Sequence, residues 1–256
     1  MKQIIKRGSF LTLMFLLLGC LSLYAADNAL ITRQITIKLE EAGTLPDRIA
    51  SSEKYKITNL KIIGEINGTD LGMIRKMAGS SYTGNSTDGK LSVLDLSEAK
   101  IVKGGDWYYS DLHTSNDVIG SYAFKGCSVL TSLNLPAGIT SIGWYAFQGC
   151  SGLTSIYVYA KKVPKIGSYV FDGFDAKKCT LYVPMGTRDN YRLSGFGNYF
   201  ENIVEFDATG IDKTTTSTDV EEVARYSVNG QRLSAPTKGL NIVKYSDGSV
   251  KKVDVR

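Results

Sequence analysis

The sequence predicts a strand-dominated solenoid of stacked coils, capped at both ends and followed by a small C-terminal β-module. Three observations predict it. A segment of the form Ile-Gly-x-Tyr-x-Phe-x-Gly recurs three times, beginning at Ile119, Ile142 and Ile166, with periods of 23 and 24 residues. Each recurrence is followed by apolar residues at strand spacing. After a Thr-rich stretch, residues 220–256 alternate short apolar runs with the turn dipeptides Asn229-Gly230 and Asp247-Gly248. The 256 residues, 43% hydrophobic and 21% charged, suffice for one large domain or two modest ones with a real core.

Taken in chain order, residues 1–26 read as a secretory signal. Lys2, Lys6 and Arg7 form a basic head, Phe10 to Leu18 a short apolar middle, and Ala25-Ala26 a small-residue end. A membrane anchor needs about 20 apolar residues, more than this run supplies, and no other apolar run follows it. Two processing routes stay open. Leu17-Leu18-Gly19-Cys20 resembles a lipobox and would place a lipid on Cys20, whereas the apolar run through Leu21 and Leu23 suits cleavage near Ala25. Either route predicts a secreted or cell-surface protein, with outer-membrane association through a lipid on Cys20 or through the C-terminal tail. Removing the signal takes away three positive charges and no negative one, so the formal +5 becomes about +2. That charge, with no clustered basic stripe, argues against a nucleic-acid partner.

Residues 27–206 form the predicted solenoid. A strand is expected over Ile35–Leu39, a short helical piece around Leu45 to Ile49, and an amphipathic helix from Thr69 to Met77 with Leu71, Ile74 and Met77 inward. Ile57, Leu60, Ile62 and Leu91, Leu94, Leu96 keep only the strand part of a repeat. Residues 103–117 read as an insertion. Three full units follow. Ile119 to Cys127 leads to Leu130, Leu133 and Leu135; Ile142 to Cys150 leads to Leu153, Ile156 and Val158; Ile166 to Phe174 leads to Leu181 and Val183. Alternation at the last two apolar positions puts them on one face of a strand, and the apolar residue three earlier turns the chain inward. One coil cannot bury that face alone, but stacked coils share a core. Gly120, Gly143 and Gly167 recur at one corner and Gly126, Gly149 and Gly173 at another, where positive φ or a close backbone approach is expected.

These units resemble the BspA-type leucine-rich repeat family, whose pattern I-G-x-x-A-F-x-x-C-x-x-L-x-x-I-x-L-P the first two match nearly throughout. The resemblance extends over residues 55–206. It implies a leucine-rich repeat solenoid of mixed α/β character with a parallel sheet on its concave face, carried by secreted or surface-attached bacterial proteins. The third unit departs from the pattern: Phe174 replaces the cysteine and the strand arrives one residue late.

Beyond the repeats, Thr187 is a plausible N-cap for a helix over Arg188–Leu193, and Tyr191, Phe196, Phe200 and Ile203 are expected to close the core. Residues 207–219 read as a linker and 220–256 as the β-module. Val228-Asn229-Gly230-Gln231-Arg232 and Lys238-Gly239-Leu240 resemble the C-terminal β-module of secreted proteins of gut and oral anaerobes, related to type IX sorting tails. Sorting, surface docking and a plain accessory module all stay open.

One histidine and four cysteines make a zinc site or a Cys/His pair hard to assemble, so no metal, no cofactor and no catalytic residue is expected. Cys127 and Cys150, at equivalent positions, are expected to be free, inert, buried thiols. Two candidate surfaces remain. On the sheet, the residues between buried positions should face outward: Lys61, Asp95, Asn134, Tyr157 and Tyr182 in one column, and Ile63, Ser97, Pro136, Tyr159 and Pro184 in the next. Tyr157, Tyr159 and Tyr182 would make either an aromatic recognition patch or cross-strand pairs that stabilise the sheet. In the insertion, Asp106, Trp107, Tyr108 and Tyr109 would make either a binding loop or packing against the convex side. The expected function is non-enzymatic, adhesion-type recognition of an extracellular protein or peptide. A glycan-binding module built on the three tyrosines is the alternative, and a hydrolase using Asp106, Asp111 and His113 a third.

Overall fold

The computed structural model of the protein describes residues 29–208, 222–227, 231–245 and 250–255. The predicted signal peptide with Cys20, most of the predicted linker, and the Asn229-Gly230 and Asp247-Gly248 turns lie outside the described residues. The chain divides into two compact units, residues 1–208 and 209–256.

In the first unit β1 (Ile35–Leu39) and β2 (Asn59–Ile66) enclose a short helix, Leu45–Arg48, and a longer helix, Gly68–Met77, follows. Next come β3 (Val93–Asp95), β4 (Ala99–Ile101) and a hairpin of β5 (Gly104–Tyr109) and β6 (Leu112–Thr114). Each repeat then contributes a two-residue strand and a longer one. These are β7 (Val118–Ile119) with β8 (Ser132–Leu135), β9 (Ser141–Ile142) with β10 (Ser155–Val158), and β11 (Lys165–Ile166) with β12 (Thr180–Pro184). After the helix Arg188–Arg192 and a single 3₁₀ turn, β13 (Asn202–Phe206) adds one more strand, parallel to β12. The large sheet runs β1-β2-β3-β8-β10-β12-β13, with β4 paired beside β2, and the short strands form a second parallel stack, β11-β9-β7. This is a leucine-rich repeat solenoid, strand-dominated and with few helices, as the repeat pattern predicts.

The register shows why. Leu60, Leu94, Leu133, Ile156, Leu181 and Ile203 are successive partners across the sheet and are all buried. Burying each such side chain contributes roughly 1.5–3 kcal/mol. A second ladder runs through the corners, where Phe124, Phe147 and Phe171 stack at centroid distances of 5.5 and 5.4 Å. At the same corner the Tyr122, Tyr145 and Tyr169 backbones lie in the left-handed region, at φ 61°, 56° and 57°. Their rings stack 5.3 and 5.2 Å apart. A positive φ is unfavourable for a bulky residue by roughly 1–2 kcal/mol, which the stacking and the hydrogen bonds between coils offset.

Along the Tyr and Phe ladders these hydrogen bonds run from the N–H groups of each coil to the carbonyls of the next, whereas Gly143 N and Gly167 N donate back to Ile119 O and Ile142 O. Tyr122, Phe124 and Gly126 donate to Trp144, Ala146 and Gln148, and Tyr145, Phe147 and Gly149 donate to Ser168, Val170 and Asp172. Such close stacking explains the corner glycines. An added Cβ on Gly143 would fall on the Ser121 backbone nitrogen, so that corner needs glycine for space, whereas Gly126, Gly149 and Gly173 need it for their positive φ.

The first full coil has no preceding repeat to occupy its equivalent carbonyls, and side chains do it instead. The Tyr108 hydroxyl donates to Ser121 O at 2.9 Å. The Arg75 guanidinium donates to Ala123 O at 2.9 Å and Lys125 O at 3.1 Å, and also to Tyr122 O at 2.8 Å. Tyr109 supplies the missing ring, stacked on Tyr122 at 5.1 Å. The segment 103–117, an insertion by sequence, is thus part of the N-terminal cap of the repeat stack. Gly68 lets it approach, because a Cβ there would fall on the Asp106 carbonyl. The helix behind it is anchored by a capping box between Asn67 and Asp70, and the buried Asp70 carboxylate also accepts from Gly43 N and Leu45 N at 2.6 and 2.9 Å.

At the other end Thr187 occupies the N-cap position but makes no capping bond; its hydroxyl donates to Pro184 O at 2.6 Å. Tyr191, Phe196, Phe200 and Ile203 are buried, and the Tyr191 hydroxyl donates to Ala160 O at 2.7 Å.

In the second unit β14 (Glu222–Ser227), β15 (Arg232–Leu233), β16 (Gly239–Tyr245) and β17 (Val250–Val255) form an antiparallel sheet in the order β15-β14-β16-β17. Arg225 is its polar centre, bound to both oxygens of Glu222 and to Asn241 Oδ1.

Candidate functional site

Period-two alternation sets the solvent-facing side of the large sheet. Lys61, Asp95, Asn134, Tyr157, Tyr182 and Val204 are successive register partners, so a single column of side chains crosses six strands. One end of the column is charged. Lys61 Nζ lies 2.6 Å from Glu98 and 3.5 Å from Asp95, and the hydrogen bond it donates to Glu98 is the main cause of its raised pKa. The other end is aromatic. The half-buried Tyr157 and Tyr182 rings stack at 4.2 Å, and the Phe206 ring meets Tyr157 and Tyr159 edge-on at 5.5 and 5.0 Å. Burial is the largest cause of the raised pKa of both Tyr157 and Tyr159, so their hydroxyls stay protonated donors at neutral pH. Phe206 escaped the sequence reading because only the pairing of β13 with β12 brings its ring beside the tyrosines.

The second column differs from expectation. Ile63, Ser97 and Tyr159 are partly exposed, but Pro136 and Pro184 are buried rather than outward. Both prolines follow the last inward residue of their strand segment, Pro136 just past the end of β8 and Pro184 as the last residue of β12, paired with Phe206.

The hairpin divides its four candidate residues. Asp106 and Trp107 are exposed, Trp107 by 56%, but Tyr108 is buried at 1% and Tyr109 half-buried in the tyrosine stack. Of the two roles the sequence left open, packing is the one Tyr108 and Tyr109 take here; burial pushes the Tyr108 hydroxyl up to about 12. His113 Nδ1 is held by the Gly105 carbonyl at 2.8 Å and its ring meets Trp107 edge-on, so its bond partner is a carbonyl rather than Asp106 or Asp111.

Cys127, Cys150 and Cys179 are free and buried. Burial pushes Cys127 up to about 11 and Cys179 to about 12, and raises Cys150 strongly. Thiolate, the reactive form, is therefore scarce at neutral pH. Among the described residues no group of three or more His, Cys, Asp or Glu could hold a metal ion, and no helix is long and apolar enough to cross a membrane. Two further exposed aromatics are Trp144 at 62%, at a variable repeat position, and Tyr169 at 57%, at the repeated tyrosine position.

A stack of parallel coils with a buried leucine ladder and an open, side-chain-lined sheet face defines a leucine-rich repeat solenoid. Residues 109–199 match, in six copies, the family described as a BspA type leucine rich repeat region. The family is consistent with protein binding at a surface and is generally non-enzymatic. A comparison with curated proteins finds no match.

Proposed function

We propose that the protein is a non-enzymatic, exported binding protein that recognises an extended protein or peptide segment on the open face of its large parallel sheet. The observation that carries this reading is the unbroken column from Lys61 to Val204, charged at one end and aromatic at the other. Side chains held at strand spacing on a stacked core lose little entropy on docking, and the Tyr157–Tyr182–Phe206–Tyr159 cluster offers large contact area with polar tips. Stacking of Tyr157 on Tyr182 occupies one face of each ring, which favours a peptide that meets ring edges over a sugar that needs an open face. The reading places the mature chain outside the cytoplasm, with a lipid on Cys20 or the C-terminal module as alternative means of attachment.

The test is capture from extracellular host proteins by residues 27–256, beside a variant with Tyr157, Tyr159 and Tyr182 changed to Ser and shown folded by circular dichroism. A protein retained by the first and lost by the second is the expected result. Equal retention by both would refute the sheet as the site, and retention of glycans in place of protein would turn the reading to carbohydrate.

A further inference from the structure

The face of the hairpin opposite the repeat stack borders a groove of about 470 Å³. Its floor is Met73 of the helix Gly68–Met77 with Ile49, its aromatic sides are Trp107 and Tyr82, and Lys54 and Lys76 border it. We propose that this groove binds an acidic peptide segment through one large apolar side chain flanked by carboxylates. The inference is independent of the sheet reading, because none of these residues lies on the outward column.

The walls are fixed. Trp107 is 56% exposed and Tyr82 47%, yet the backbone behind each is tied down. Asp106 N donates to Thr69 Oγ1 at 2.8 Å, and Ser110 N donates to Tyr82 O at 2.8 Å, so the hairpin is joined to the helix on one side and to the Tyr82 loop on the other. The His113 edge against Trp107 restrains that ring. A preformed slot between two aromatics can accept a side chain without first ordering itself.

Charge selects the occupant. Lys54 and Lys76 have no carboxylate partner among the described residues; Lys54 lies over the Tyr55 ring at 4.8 Å. The one acid of the lining, Asp106, accepts a hydrogen bond from the Thr69 hydroxyl at 3.2 Å. Two unmatched ammonium groups at the border of an apolar slot favour an anionic ligand. Ile49 and Met73 on the floor offer no partner to sugar hydroxyls, which would be desolvated there at a cost, whereas a Phe or Leu side chain loses nothing.

The experiment uses the chain with Trp144 changed to Phe, leaving Trp107 as the single tryptophan. A random heptapeptide bead library is selected on it, and the enriched peptides are titrated against Trp107 fluorescence, with tri-galacturonate as a sugar probe. Enriched sequences should set Asp or Glu beside Phe, Tyr or Leu. Their affinity should fall at least about ten-fold in K54E/K76E and in about 0.5 M salt, and stay unchanged in Y157S/Y182S. Enrichment without acids, equal binding by K54E/K76E, no enrichment at all, or quenching by the trisaccharide alone would each overturn the proposal.

Discussion

Arg75 is the most consequential single residue of the cap. It is fully buried, sits 4.8 Å over the Tyr109 ring, and donates five hydrogen bonds, to the carbonyls of Tyr122, Ala123, Lys125 and Ser81 and to Ser80 Oγ. Ala123 O and Lys125 O occupy the positions that Ala146 O and Gln148 O hold one coil later, where backbone N–H groups satisfy them. Arg75→Ala leaves them without donors. Each buried unpaired carbonyl costs roughly 1–3 kcal/mol, and release of a desolvated guanidinium returns part of that, so a net loss of about 3 kcal/mol is expected. Arg75→Met fills the volume without supplying donors and should lose nearly as much, which separates hydrogen bonding from cavity formation. Tyr108→Phe frees only Ser121 O and should cost about 1–2 kcal/mol. Urea unfolding followed by Trp144 fluorescence, in a Trp107→Phe background, reads the repeat stack rather than the second unit. A loss below about 0.5 kcal/mol for both Arg75 variants, within the range of surface substitutions, would refute the cap.

Three more outcomes follow from the same geometry. Gly143→Ala drives a Cβ into the Ser121 nitrogen and should destabilise by several kcal/mol, whereas Gly186→Ala, at φ 77° with open space around it, should cost only about 1 kcal/mol; their order in thermal unfolding checks this. In a Cys20→Ser chain, Cys127, Cys150 and Cys179 should resist alkylation at pH 8 while folded and react fully in denaturant. The same thiols make stability fall in alkali. Their folded pKa values lie above the ordinary 9.0, so the unfolded chain releases protons first and stability drops once pH passes about 9. The slope reaches about 1.4 kcal/mol per pH unit per thiol, and unfolding free energies at pH 8 and 10 measure it.

What was legible in the sequence is what repeats. Leu130, Leu133 and Leu135 and their counterparts 23 residues on carry their burial in local spacing, and period two then orders the column from Lys61 to Tyr182 without any tertiary knowledge. What was hidden is what happens once. Arg75 in a helix reads as a solvated charge, since nothing local says that two carbonyls of a coil some 50 residues later will lack donors. Tyr108 and Trp107 are adjacent aromatics in a loop, and only the pairing of β5 with β6 against the helix sends one inward and the other out. Phe206 joins the tyrosine cluster only because β13 pairs with β12.

That division gives the hairpin two separable roles. Its inner residues, Tyr108 and Tyr109, complete the hydrogen bonds and the ring stack of the first coil; its outer residue, Trp107, forms one side of the groove. Because Trp107 and Tyr108 are consecutive in one strand and point to opposite faces, one exposed and one buried, perturbing them should have opposite consequences. Tyr108→Phe should lower the midpoint of the repeat unit in urea yet leave Trp107 quenching by an enriched peptide intact at low denaturant. Trp107→Ala, an exposed truncation, should leave the midpoint within about 0.5 kcal/mol of the parent and abolish peptide binding, measured by calorimetry. If Trp107→Ala unfolds the repeats, the hairpin is held as much by its outer ring as by its inner ones, and the groove is a by-product of packing. If both variants lose binding with the fold intact, the cap and the groove are coupled through the strand itself.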